Sequence, residues 1–148
     1  MVGRWWLSEA ELNYWLSTAE SVNYTTVRGA YRMAPLTTDE LSQSPNTMLF
    51  LSKSEPYACY IIKYGVGAFK TTHRDPPLRG SSKLVHLRMV CLLQNAEQGG
   101  QLTIDGHEEL FLPRDAIIFR ADTSDHGVSE VLLGERIILT VGKLVESE

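Results

Sequence analysis

Short apolar runs separated by turn-forming residues make up most of the chain from Tyr57 onward. Within several runs apolar and polar residues alternate, which is the period-two pattern of a half-buried β-strand. The breaks contain glycine, proline and aspartate, as in Gly99-Gly100 and Asp105-Gly106. The predicted strands cover residues 57–64, 68–73, 84–93, 101–105, 109–112, 116–119, 126–131 and 135–142. Short strands at this spacing are typical of a sandwich or jelly roll.

A helical pattern replaces this alternation near the N-terminus. Ser8 followed by Glu11 has the spacing of a capping box, so we expect a helix from there to about Ser21. The apolar residues at helical spacing in this helix are Leu12, Trp15, Leu16 and Ala19. Such a face normally covers a core.

Thr37-Thr38-Asp39-Glu40 could cap a second, shorter helix, which is predicted to end before Pro45. Residues 24–34 and 48–51 are predicted as further strands. We therefore expect one mainly β domain with N-terminal α-helices, in which residues 1–47 form a helical support and residues 48–142 form a jelly-roll core.

The two faces of the last predicted strand differ in character. Arg136, Ile138 and Thr140 share the face expected at the mouth of the barrel, whereas residues 137, 139 and 141 are all aliphatic and should pack under the helices. In residues 84–93 the odd positions are apolar, and the even positions include His86 and Arg88. One face of that strand is therefore expected to carry polar groups into a site.

Charge and composition exclude several classes of partner. The 148 residues carry 14 basic and 18 acidic side chains, a net charge of −4, and no lysine or arginine run occurs. We therefore expect neither nucleic acid nor an anionic membrane as a partner. The N-terminal apolar stretch is interrupted too early for a secretory signal, and no apolar run reaches membrane-spanning length, which favours a cytoplasmic protein. Cys59 and Cys91 lie in apolar runs and are expected to be buried and reduced.

Candidate chemistry centres on two histidines and an aspartate. His73 and Asp75 are two residues apart, so on an extended strand both side chains point to the same face. His126 lies in a later predicted strand, 51 residues beyond Asp75. Two imidazoles and one carboxylate are the ligand set of non-haem Fe(II) sites that activate oxygen. Arg136, ten residues after His126, could hold a carboxylate through two parallel hydrogen bonds.

The order and spacing of these residues resemble the 2-oxoglutarate- and Fe(II)-dependent oxygenases, in particular prolyl-4-hydroxylase-like members. The resemblance covers about residues 57–141. The matching pieces are Tyr64-x-x-Gly67-x-Phe69-x-x-x-His73-x-Asp75, Gly99-Gly100-x-Leu102, Leu112-Pro113, Ile117-Ile118-Phe119, His126-x-Val128 and Gly134-x-Arg136. The fold that the resemblance implies is the double-stranded β-helix form of the jelly roll.

The resemblance implies that His73, Asp75 and His126 bind Fe(II), and that 2-oxoglutarate and O2 take the remaining positions. Arg136 would hold the distal carboxylate of 2-oxoglutarate, with Tyr64, Arg88 or Thr140 as helpers. The reaction would hydroxylate a C–H bond and release succinate and CO2, with ascorbate as a possible stimulant. The substrate could be a small molecule, an amino acid or a protein side chain.

The sequence departs from the family pattern around the cosubstrate. Leu92 and Leu93 stand where a tyrosine is often found, and Ile138 stands where Ser or Thr is common in other branches. Two other functions stay open: a non-catalytic jelly-roll binding or scaffold domain, and a cupin-like metalloenzyme that does not use 2-oxoglutarate. Cupin sites usually contain more histidines, whereas this chain has an aspartate at position 75.

Residues near the metal motif are the candidates for substrate contacts. The loop 76–83 follows Asp75 directly, and its Pro, Gly and Ser content favours a substrate lid. Arg74 and Arg79 could contact an anionic substrate, although exposed arginines are the commoner case. Leu78 and His86 complete the candidates, although a solvated strand residue is the commoner case for a histidine such as His86. His107 follows a hairpin signal and is expected to be exposed.

Overall fold

The computed structural model describes residues 2–27, 31–77 and 84–146. Within these ranges the helices are α1 (Glu9–Ser21), α2 (Thr38–Ser42) and α3 (Pro45–Leu51). The strands before residue 80 are β1 (Val2–Trp6), β2 (Thr25–Thr26), β3 (Tyr31–Pro35), β4 (Pro56–Tyr64) and β5 (Lys70–His73). The later strands are β6 (Leu84–Gln94), β7 (Gln98–Gly99), β8 (Leu102–Ile104), β9 (His107–Glu109), β10 (Asp115–Arg120), β11 (His126–Val128), β12 (Val131–Leu133) and β13 (Arg136–Glu146). No helix in these ranges is long and apolar enough to cross a membrane.

The strands form a larger and a smaller antiparallel sheet. The larger sheet has the order β1-β10-β6-β13-β4-β3-β2, and the smaller has the order β5-β11-β8-β9, with β12 and β7 paired separately. Consecutive strands therefore change sheet repeatedly, as they do in a jelly roll. The predicted fold class, a mainly β jelly roll with N-terminal helices, is confirmed.

Two apolar cores lie on opposite faces of the larger sheet. One joins it to the helices and contains Trp15, Leu41 and Phe50 together with Leu139 of β13. The other joins it to the smaller sheet, for example Ile138 of β13 and Val128 of β11. The last strand therefore divides its two faces as the alternation of its residues predicts.

The capping boxes form as the sequence predicts. Ser8 begins α1 by accepting a hydrogen bond from the backbone N–H of Glu11, and Thr37 begins α2 in the same way with Glu40. The buried Glu11 carboxylate also accepts hydrogen bonds from the Ser44 hydroxyl at 2.6 Å and from the backbone N–H of Asn46 at 2.7 Å. One carboxylate therefore joins the start of α1 to the start of α3.

The strand prediction for residues 48–51 is wrong, because they end helix α3. An apolar run of four residues has no period that separates a strand from a buried helix. Pro45 occupies the first turn, where proline suits a helix, and Ser52 ends it in the left-handed conformation with φ 47°. Phe50 and Leu51 then pack beneath β13.

Other boundaries also differ from the predictions. The predicted strand 24–34 is instead an antiparallel pair, β2 with β3, in which Thr25 lies opposite Met33. The predicted strand 126–131 divides between β11 and β12. The strand predicted at 109–112 is instead β9 at His107–Glu109. Strand β1 was not predicted, although it pairs with β10 along its whole length.

The division into a helical support at 1–47 and a core at 48–142 stays a prediction. The first segment supplies β1, β2 and β3 to the larger sheet in addition to helices. Cys59 and Cys91 are free and buried, as predicted. His107 is exposed beyond the turn at Asp105 and Gly106.

Candidate metal centre and its cavity

His73, Asp75 and His126 lie together at one end of the smaller sheet. His73 of β5 is the register partner of His126 of β11, so the antiparallel pairing brings the two imidazoles side by side. The backbone N–H of Asp75 donates to the carbonyl of Ala121 at 2.7 Å, which holds the chain after β5 against the loop before β11. One potential ligand atom from each of the three residues lies within 4.8 Å of the others.

Backbone carbonyls determine how the imidazoles face the cluster. His73 Nδ1 lies 2.8 Å from the carbonyl of Thr71, and His126 Nδ1 lies 2.9 Å from the carbonyl of Ser124. Because a carbonyl only accepts, each Nδ1 carries the hydrogen, and Nε2 is directed to the cluster. A hydrogen bond of this kind at the second nitrogen is the usual support of a metal-binding histidine.

The atoms that meet at the centre need a cation between them. His126 Nε2 is 3.0 Å from Asp75 Oδ2, and His73 Nε2 is 3.4 Å from Asp75 Oδ1. When Nδ1 holds the ring proton of a neutral imidazole, Nε2 and the carboxylate oxygen both present lone pairs. A proton or a metal ion at the centre satisfies both groups, so the donor set fits a divalent metal with nitrogen and oxygen ligands.

Asp75 is held in its ionised form. Burial acts to raise the pKa of its carboxyl group, but a proton at Nε2 of His126 or His73 adds a hydrogen bond and a positive charge that outweigh burial and hold the pKa well below its usual range. An ionised carboxylate is the form that binds a metal.

A cavity of about 320 Å³ opens beside this cluster, between the two sheets. It runs along β13 from Arg136 past Ile138 to Thr140, and the metal-ligand cluster forms part of its wall. Its volume is in the range of small-molecule sites. The face of β13 predicted to meet the barrel mouth lines this cavity.

Arg136 is buried in this cavity without a partner for the end of its guanidinium group. Its side chain is 1% exposed, and neither Nη1 nor Nη2 makes a hydrogen bond to any described residue. The rings of Tyr64 and Phe111 lie 5.7 and 5.9 Å from its guanidinium carbon. Burial lowers the pKa of Arg136 to about 10, against a smaller raising effect of Tyr64. A side chain buried to this extent cannot form a surface salt bridge.

Unlike Arg136, Arg88 has hydrogen-bond acceptors in the protein for both Nη atoms of its guanidinium group. Nη1 donates to the carbonyl of Ala58 at 2.9 Å and to Thr140 Oγ1 at 2.8 Å, and Nη2 lies 2.9 Å from His86 Nε2. Both ends of the group are therefore held by the protein itself. Binding of 2-oxoglutarate by Arg88 and Thr140 stays a prediction, and it would require these hydrogen bonds to be shared.

His86 connects Arg88 to the metal-ligand cluster. Because arginine only donates, His86 Nε2 accepts, so Nδ1 carries the hydrogen and donates to the backbone carbonyl of Asp75 at 2.9 Å. Burial lowers the pKa of His86, and the charge of Arg88 lowers it further. The side chain is 1% exposed and lines the cavity, so it is not the solvated residue of the alternative interpretation.

The remaining predicted residues differ in whether they line the cavity. Tyr64 is buried under Arg136, and burial raises the pKa of its hydroxyl. Arg74 is exposed, is not among the residues lining the cavity, and donates to Asp125 at 2.7 Å. Leu78 and Arg79 lie outside the described residues, as does most of the predicted lid at 76–83.

Lys70 lines the cavity and was missed in the sequence analysis. It stands three residues before His73, and regular alternation along a strand would place the two side chains on opposite faces.

The chain matches no protein-family model and no curated protein sequence. It is similar to solved structures over nearly its whole length. A prolyl-4-hydroxylase from Pseudomonas putida superposes with a TM-score of 0.71 at 20% identity, covering 99% of this chain and 92% of that one. A viral collagen prolyl hydroxylase from Paramecium Bursaria Chlorella virus-1, in a 2-oxoglutarate complex, gives 0.71 at 14% identity, with coverages of 97% and 96%.

HygX from Streptomyces hygroscopicus, with nickel, 2-oxoglutarate and hygromycin B bound, also gives a TM-score of 0.71. Its identity is 11%, and the match covers 96% of this chain and 81% of that chain. The chain therefore has the fold of the 2-oxoglutarate- and Fe(II)-dependent oxygenases. The resemblance to prolyl-4-hydroxylase-like members is confirmed at the level of the fold.

Proposed function

We propose that this protein is an Fe(II)- and 2-oxoglutarate-dependent dioxygenase that hydroxylates a C–H bond of its substrate. The observation that supports this most strongly is the pairing of two features in one cavity. One wall holds two imidazoles and a carboxylate, and another holds a buried arginine with no anionic partner among the described residues. A buried, unpaired charge is costly, so the cavity favours a ligand that carries a carboxylate.

His73, Asp75 and His126 would hold Fe(II) as three protein ligands. Bound there, Fe(II) would supply oxygen activation at the positions that these ligands leave open. The carbonyls of Thr71 and Ser124 would keep the Nε2 atoms of both imidazoles directed at the metal.

Arg136 would bind the distal carboxylate of 2-oxoglutarate. Its planar group can donate two parallel hydrogen bonds to a carboxylate, which a lysine cannot reproduce. Tyr64 and Ile138 would exclude water from this pair, and the low polarity of the surroundings would strengthen it. Tyr64 would assist through its hydroxyl group.

The reaction would convert 2-oxoglutarate and O2 to succinate and CO2 as the substrate is hydroxylated. Ascorbate would act as a stimulating reductant. HygX was solved with the small molecule hygromycin B, and a prolyl hydroxylase from Trichoplax adhaerens was solved with a peptide fragment. Ligands of both kinds therefore bind to proteins of this fold, and in this chain His86 would face the substrate.

Anaerobic addition of Fe(II) and then 2-oxoglutarate tests the proposal. We expect a weak visible charge-transfer band that needs both additions, followed in air by succinate formation. Fe(II) binding without a response to 2-oxoglutarate would favour the cupin-like alternative. Binding of neither would favour a scaffold domain and contradict the proposal.

A further inference from the structure

Lys70 reaches the cavity through an irregularity in β5. His126 and Val128 are two residues apart on β11, yet their partners on β5, His73 and Lys70, are three residues apart. An extra residue of this kind is a β-bulge, which changes the face to which a side chain points. Lys70 and His73 consequently both line the cavity, whereas Thr71 and Thr72 between them are exposed.

Gly127 makes room for the bulge. A Cβ atom at this position would lie 2.8 Å from the carbonyl oxygen of Lys70 and 3.0 Å from the backbone nitrogen of Thr72. Because both contacts are with backbone atoms, neither could be relieved by turning a side chain. The bulge that directs Lys70 inward therefore depends on an extra residue in β5 and on a glycine opposite it in β11.

The Lys70 ammonium group has no ionic partner among the described residues. Its nitrogen lies 5.7 Å from the centre of the Tyr31 ring, and it forms neither a salt bridge nor a hydrogen bond there. Burial lowers the pKa of Lys70, and the charged groups that act on it are Asp75 and Arg88. The guanidinium group of Arg136 lies over the ring of Tyr64 and belongs to β13 of the larger sheet, whereas Lys70 belongs to β5 of the smaller sheet.

The cavity wall carries more positive charge than the metal and 2-oxoglutarate would neutralise, which favours a second anion. With the imidazoles neutral, the described wall contains three cations, Lys70, Arg88 and Arg136, and one carboxylate, Asp75. A divalent metal and the two carboxylates of 2-oxoglutarate cancel each other. Two positive charges remain, in a protein whose overall net charge is −4. A positive cavity in an acidic protein concentrates anions.

We propose that Lys70 binds a carboxylate of the substrate, so that the substrate is a small carboxylic acid. This inference rests on the proposed function, because it assigns Arg136 to the cosubstrate. Lys70 is half-buried within the wall, so the acid must enter the cavity for its carboxylate to meet the ammonium group. Lys70 would then act as a specificity-determining residue that orients the acid relative to the metal ligands.

The test uses the full chain loaded with Zn(II) and saturated with 2-oxoglutarate, which leaves Lys70 as the unassigned cation. Butyrate is the probe, its uncharged analogue butyramide is the comparison, and ligand-observed NMR gives both affinities. We expect the parent and Lys70→Arg to bind butyrate about tenfold more tightly than butyramide, and Lys70→Met to lose this preference. Lys63→Met is the matched control, since Lys63 lies over the Tyr24 ring outside the cavity wall.

Binding of 2-oxoglutarate to each variant separates this inference from the proposed function. If the parent does not bind 2-oxoglutarate, the proposed function is contradicted, and the inference that rests on it is contradicted as well. If Lys70→Met loses 2-oxoglutarate instead of butyrate, Lys70 is a cosubstrate residue and the inference is overturned. Equal affinities of butyrate and butyramide in the parent, or a Lys70-dependent preference for inorganic phosphate over butyrate, would also overturn it.

Discussion

Two buried arginines in one cavity differ in what their guanidinium groups contact. Arg88 donates to backbone carbonyls, a hydroxyl and an imidazole, so its charge is accommodated by the protein itself. Arg136 has aromatic neighbours but no acceptor for either Nη atom among the described residues. Because leaving such a group without acceptors costs stability, Arg136 is the residue for which a ligand is most needed.

Replacing Arg136 by lysine should weaken the binding of 2-oxoglutarate strongly. An ammonium group cannot form the two parallel hydrogen bonds, so we expect a loss of about 2–5 kcal/mol in binding free energy. Titration of 2-oxoglutarate into the metal-loaded variant measures it. Arg32→Lys is the control, because Arg32 is exposed and paired with Glu135. An affinity of Arg136→Lys within about twofold of the parent would place the carboxylate elsewhere, with Arg88 as the next candidate.

Single alanine substitutions of His73, Asp75 and His126 should each abolish Fe(II)-dependent consumption of 2-oxoglutarate. Each removes one of three metal ligands, while the surrounding strands keep their hydrogen bonds. Succinate assays and far-ultraviolet circular dichroism measure the two effects. His107→Ala should behave like the parent, because His107 is exposed on β9 and is not among the residues of the cluster. Unchanged turnover in any two of the cluster variants would refute the assignment.

Helix α1 depends on a carboxylate that it shares with α3. Burial acts to raise the pKa of Glu11, but hydrogen bonds from Ser44, Ser8 and Asn46 outweigh it and lower the pKa to about 2 from an ordinary 4.5. A lowered pKa in the folded state means that the ionised form stabilises folding. This contribution is complete above about pH 4.5 and is lost as the pH falls towards 2.

The substitution Glu11→Gln should therefore destabilise the protein near neutral pH by up to about 3 kcal/mol. The difference in stability between parent and variant should shrink as the pH falls from about 5 to 2, because the parent becomes protonated. Chemical denaturation of parent and variant across this pH range measures the difference. The other carboxylates titrate in both proteins, so their contribution is removed when the two stabilities are subtracted. Glu9→Gln is the control, since Glu9 is exposed in the same helical turn. A difference that does not change with pH would contradict the account.

The cavity lies between the two sheets, so its ligands should stabilise the whole molecule. His73 and His126 belong to the smaller sheet and Arg136 to the larger, and a metal with 2-oxoglutarate would connect them. At a ligand concentration about 100 times Kd, binding adds about 2.7 kcal/mol to stability, which raises Tm by roughly 5–10 °C in a protein of this size.

Thermal denaturation with Zn(II), then with Zn(II) and 2-oxoglutarate, measures this effect in two steps. In Arg136→Lys the metal step should remain and the 2-oxoglutarate step should be lost, and a chelator should reverse both in the parent. If 2-oxoglutarate raises Tm equally in parent and variant, its binding does not depend on Arg136.

The sequence by itself determined the features that depend on local chemistry and strand period. The capping boxes of α1 and α2, the two faces of β13 and the shared direction of His73 and Asp75 follow from residues close together in the chain. The apolar run in α3 was misread because four residues carry no period. Strand β1 was missed because it depends on pairing with β10, which is more than 100 residues away.

Only the tertiary structure decided which polar groups remain without partners. Arg88 and Arg136 look alike in the sequence, and the difference between them arises from acceptors contributed by distant residues such as Ala58 and Thr140. Lys70 enters the cavity because a bulge opposite Gly127 breaks the alternation from which its direction would be predicted. Bulges and acceptors of this kind result from the pairing of one strand with another, so no pattern within a single segment of the chain could reveal them.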